Sequence, residues 1–73
     1  MTTPADTGQP TLTPRQAEVL QAAANGLENE QIAQLHNVCD STVKVELSAA
    51  YRRLSARNRA HAVLLALRAG LIT

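Results

Sequence analysis

Val43, Leu47, Ala50 and Leu54 recur at intervals of four, three and four residues. A helix turning about 100° per residue gathers all four on one side, whereas a strand would scatter them over both faces. The spacing predicts a helix that starts near Cys39 or Asp40, runs to about Ser55 and buries that stripe. Its opposite side collects Ser41, Lys44, Val45, Ser48 and Arg52. Composition points the same way. Alanine and leucine supply 13 and 10 of the 73 residues, beside one tyrosine and no tryptophan or phenylalanine. The strongest helix formers dominate and the usual strand formers are scarce, so an all-α fold is expected. A chain of this length makes one small domain that buries roughly 60% of its unfolded surface, so its stability is modest or reinforced by a partner.

The residues before Leu12, MTTPADTGQPT, offer too little apolar surface to offset the entropy of ordering, and residues 1–11 read as a flexible leader. The domain proper is expected over residues 12–73. Thr13-Pro14-Arg15-Gln16 is a compact helix start: Thr13 can cap, Pro14 fits the first turn, and Gln16 can complete a capping box. Leu12 is placed for a hydrophobic staple. Ala17, Leu20, Ala24 and Leu27 recur at helical spacing, and Asn25-Gly26 supplies the stop. A second, short helix fits about Asn29 to Leu35, capped by Asn29, with Ile32, Ala33 and Leu35 as its apolar positions. His36-Asn37-Val38 makes a tight turn, with Asn37 suited to a positive φ. After the third helix, Asn58 can cap a fourth that ends at Ala69-Gly70, with Leu71 and Ile72 folding back.

Net charge is only +1, but it is unevenly spread. Arg15 is the one basic residue among 1–43, against five acidic ones; residues 44–73 hold Lys44, Arg52, Arg53, Arg57, Arg59 and Arg68 against Glu46 alone. A basic half can face an anionic polymer while the acidic half faces elsewhere. Two short helices joined by a three-to-four-residue turn form a helix-turn-helix, whose second helix fits the major groove of B-form DNA. On that free face Lys44 can donate to guanine O6 and N7, Ser41 and Ser48 can serve either partner, and Val45 can meet a thymine methyl. The arginines beyond, Arg52, Arg57 and Arg59 among them, can meet phosphates.

Other chemistries find little support. No nucleophile–base–acid set or phosphate-binding glycine loop is evident, so neither an enzyme nor a cofactor is expected. His36 and Cys39 have an H-x-x-C spacing, but a structural zinc takes four ligands and no second pair follows. The single cysteine fits a reducing compartment. The apolar run Ala62 to Leu67 is far short of a membrane span, and no basic segment followed by an apolar one opens the chain. A cytoplasmic protein without membrane contact is expected.

The stretch from Leu12 to Ile72 resembles the LuxR/GerE-type helix-turn-helix domain of bacterial transcription regulators. The resemblance rests on LTPRQAEVL, the ANGL turn, the QIA of the second helix, STVKV, the YRRL that ends the third helix, and NRAHAV opening the fourth. It implies a four-helix domain with Ile32 to Arg52 as the helix-turn-helix unit, and dimeric binding to paired half-sites. Carried over position by position, it implies that Lys44, Val45 and Ser48 meet base edges and that Arg59 approaches the DNA backbone. A stand-alone regulator is expected, without a receiver or ligand-sensing domain. The chain also departs from the family pattern. Glu28-Asn29-Glu30-Gln31 replaces the usual Ser-Asn-Lys-Glu, Cys39 the usual serine cap, Glu46 a histidine, and Ser48 a frequent lysine or arginine. These changes remove attraction to phosphate, and Glu30 and Glu46 add repulsion. They keep a second reading open, a protein-interaction module that binds RNA polymerase, a sigma factor or another transcription factor.

The fourth helix is apolar nearly all round, since only His61 and Arg68 interrupt the run from Ala60 to Ala69. Leu64, Leu65 and Leu67 point in spread directions, so part of this surface needs a cover. A homodimer through Leu64, Leu65 and Arg68 is expected, in line with the resemblance; the alternative cover is the Leu71-Ile72 tail.

Overall fold

The computed structural model describes residues 12–73, and the expected leader lies outside them. Helices α1 (Pro14–Ala24), α2 (Asn29–His36), α3 (Asp40–Leu54) and α4 (Arg59–Arg68) follow in order, with no strand among the described residues. The start of α1 is locally encoded. The Gln16 backbone N–H donates to Thr13 Oγ1 at 3.1 Å, and the Thr13 N–H donates to Gln16 Oε1 at 3.0 Å. This reciprocal pair satisfies donors that the first helical turn leaves without partners.

The start of α2 differs from expectation. Asn29 is already helical and Glu28 holds the extended cap position, its N–H donating to Gln31 Oε1 at 2.8 Å. The cap falls one residue earlier because Gln31 then sits three residues on, where its amide can reach back. At the start of α4, Asn58 caps as expected: its Oδ1 accepts the His61 N–H at 2.9 Å, and His61 Nδ1 accepts the Arg57 N–H at 3.0 Å.

A residue of positive φ follows every helix. Gly26 (φ 95) closes α1, Asn37 (φ 57) α2, Ser55 (φ 56) α3 and Gly70 (φ 73) α4. Such a residue turns the chain back so that the following N–H can bond a carbonyl of the last turn. Accordingly Leu27 donates to Ala22, Val38 to Ala33, Ala56 to Tyr51 and Leu71 to Ala66, at 2.8–3.1 Å. Ser55 carries a steric cost that glycine would not.

Helix α3 packs against each of the other three helices. Val43, Leu47, Ala50 and Leu54 are all buried, as their spacing requires. Val43, Leu47 and Leu54 meet Val19 and Leu20 of α1, Ile32 and Ala33 of α2, and Ala62 and Ala66 of α4 in one core, with Tyr51 half-buried against it. Four expected core positions differ. On α1 the buried face is Gln16, Val19, Leu20, Ala22 and Ala23, while Ala17 and Ala24 are half-buried, as is Leu27 in the turn that follows. The large side chains of Val19 and Leu20 set the roll of the helix, and the methyls of Ala17 and Ala24 offer too little area to compete. On α2, Leu35 is 66% exposed, because Ile32 and Ala33 already fill the contact with α3.

The C-terminal tail folds back as expected. Ile72 is buried, and Thr73 exchanges two 2.8 Å hydrogen bonds with the Gln21 side chain on α1. Replacing Ser55 with glycine is expected to raise unfolding free energy by about 0.5–1 kcal/mol, read from the urea midpoint, by relieving the left-handed backbone.

Candidate nucleic-acid interface

Three residues, Asn37, Val38 and Cys39, separate α2 from α3. Cys39 takes the cap position without a side-chain hydrogen bond. The short turn and the shared core hold the two helices in a fixed relation, with α3 presenting its outward face. That face repeats the buried stripe two residues out of phase. Ser41, Val45, Ser48 and Arg52 mirror Val43, Leu47, Ala50 and Leu54, and two residues rotate a helix by about 200°. Ser41, Lys44, Val45, Ser48 and Arg52 are all exposed. Val45 is 64% exposed, although burying a valine stabilises a fold by about 1.5 kcal/mol or more. Among the described residues, Val45 is not part of the packed core.

The cations lie along and beyond the end of α3. Arg52 and Arg53 occupy its last turn, where the helix dipole also favours positive charge. Arg57 is exposed in the connection to α4. Arg59, the first residue of α4, is exposed, and its Nη2 donates to Asn29 Oδ1 at 2.9 Å. That bond joins the first residue of α4 to the first of α2 across a separation of thirty residues. The sequence carries no local signal for it, since helical spacing links only neighbours three or four apart.

Of the residues that depart from the family pattern, Glu30 is exposed and Glu46 half-buried. His36 and Cys39 gain no further ligands: among the described residues no three histidine, cysteine, aspartate or glutamate side chains are grouped to hold a metal. No described helix is long and apolar enough to cross a membrane. On α4, Leu64 and Leu67 are 43% and 46% exposed and Arg68 is exposed, while Leu65 lies half-buried against the core. Leu67 therefore accompanies Leu64 on the open side.

The sequence of residues 10–66 matches the family model described as bacterial regulatory proteins, luxR family. The chain belongs to the LuxR family. Among its relatives are the nitrate/nitrite response regulator protein NarP of Escherichia coli and the quorum sensing-dependent transcriptional regulator RpaR of Rhodopseudomonas palustris. It is 43% identical to the first over 54 residues, covering 74% of this chain and 25% of that protein. It is 46% identical to the second over 61 residues, covering 84% and 25%. The LuxR-family chain thus spans about a quarter of the length of these relatives. Its fold superposes on the structure of the transcription factor GerE with a TM-score of 0.82 at 26% identity, covering 85% of this chain and 92% of that one. Relatives that are transcription regulators favour the DNA-reading expectation over the protein-adaptor one.

If the outward face of α3 is free, truncation there must be silent for folding. Val45→Ala is expected to change stability by less than about 0.5 kcal/mol, and Leu47→Ala to cost about 2–4 kcal/mol, both read by urea denaturation.

Proposed function

We propose that this LuxR-family domain binds double-stranded DNA sequence-specifically in the bacterial cytoplasm and regulates transcription by seating α3 in the major groove. The observation that carries the reading is the unpacked outward face of α3, where Lys44, Val45, Ser41 and Ser48 stand clear of the core. In this reading Lys44 donates to guanine O6 and N7, the two serines bond to base edges, and the Val45 methyls contact thymine. Arg52, Arg57 and Arg59 bind phosphates and fix the register of the helix on the duplex. The family match and the fit to GerE support it.

The departures tune strength rather than kind. Glu30 and Glu46 oppose phosphate, and Ser48 supplies a hydrogen bond in place of a cation, so affinity rests on few ionic contacts and on pairing of protomers. Leu64, with Leu67 and Arg68 beside it and the partly covered Leu65 behind, forms a homodimer face on α4. Two protomers then read half-sites about 34 Å apart. Once seated, the dimer touches RNA polymerase or a neighbouring transcription factor with its remaining surface.

Selection from a random duplex pool followed by salt titration tests the reading; no retardation of any duplex at low salt would overturn it. On the selected duplex, Lys44→Ala is expected to cost about 1–3 kcal/mol and to relax preference at one base pair. Arg52→Ala is expected instead to weaken all duplexes alike and to lower the slope of log K against log salt by about one. For the dimer, Leu64→Glu is expected to shift sedimentation to the monomer and weaken binding to paired half-sites. A wild-type chain that sediments as a monomer at high micromolar concentration refutes the α4 interface.

A further inference from the structure

The Arg59–Asn29 bond is, among the described residues, the one side-chain-to-side-chain hydrogen bond that joins two helices. From it we infer that Asn29 is a positioning residue for DNA binding, holding the Arg59 guanidinium ready for a phosphate. The inference rests on the proposed DNA reading and adds to it a role for a residue on α2 that touches no base.

The chemistry of the pair favours this role over a purely structural one. A guanidinium has five N–H donors, and Asn29 occupies one at Nη2, leaving the others for a second acceptor. An exposed arginine must give up rotamer freedom to hold a phosphate; a partner that fixes its direction beforehand removes part of that cost. The acceptor is also uncharged. Glu28 and Glu30 flank Asn29 in the chain, and either carboxylate in its place would cancel the charge that a phosphate needs to meet. Fold stability alone would favour the opposite choice, because a carboxylate in the first turn of a helix interacts well with the dipole and would pair with Arg59. The asparagine directs the cation without neutralising it.

The test uses the 73-residue chain and a duplex enriched from a random pool on the wild type, with affinity measured across a salt series and folding by urea denaturation. Asn29→Ala is expected to weaken binding about threefold with little change in the salt slope, and to have no effect in an Arg59→Ala background. Arg59→Ala itself lowers the slope by about one. Asn29→Asp separates the two roles. It is expected to fold as stably as wild type or more so, yet to bind more weakly and with a slope lowered by about one, because the new carboxylate competes with phosphate. The inference falls if Asn29→Ala matches wild type, if its effect persists without Arg59, if Arg59→Ala binds as wild type, or if Asn29→Asp binds with undiminished affinity. A wild-type chain that binds no duplex overturns the DNA reading and this inference together; the variant outcomes overturn the inference alone.

Discussion

Burial of one side of α3 is the contact on which the rest of the domain depends. Its stripe is the floor against which α1, α2 and α4 all pack. A chain of 73 residues has few large apolar side chains, with one tyrosine and no phenylalanine or tryptophan, so a single shared helix is an effective way to close a core. The same geometry has a consequence for function. A helix that buries one face completely must present the other, and the residues two positions out of phase with the stripe are thereby held rigidly toward solvent.

Chain reversals complete the arrangement. Each helix ends on a left-handed residue, and each following N–H returns to the helix it has just left. Short connections keep α2 and α3 in a fixed relation, which a surface that reads DNA requires, since a shift of about 1 Å would spoil hydrogen-bond geometry with base edges. The C-terminal tail adds to this rigidity by anchoring Ile72 in the core and Thr73 on Gln21.

The surface carries the chemistry in two parts. The outward face of α3 holds small polar groups, one lysine and one branched apolar side chain, a set suited to base edges rather than to general attraction. Most of the cations fall at the end of α3 and the start of α4, where the Arg59–Asn29 bond ties Arg59 to α2. Exposed Glu30 lies one residue from Asn29 and half-buried Glu46 two residues from Lys44, so the balance between reading and repulsion is set within a few residues.

Local chemistry was enough to read the helices, the α1 and α4 caps, the turn at Asn37 and the two faces of α3. Each depends on residues no more than a few positions apart, and periodicity or a capping side chain reports it directly. The family resemblance was likewise legible, because it lies in contiguous motifs. What only the tertiary structure decided depends on which neighbours arrive from elsewhere in the chain. The roll of α1 toward Val19, the exposure of Leu35, the inward turn of Leu65 and the meeting of Arg59 with Asn29 are of this kind. All four result from competition for a limited core or from partners distant in sequence, and no local pattern encodes the winner of such a competition.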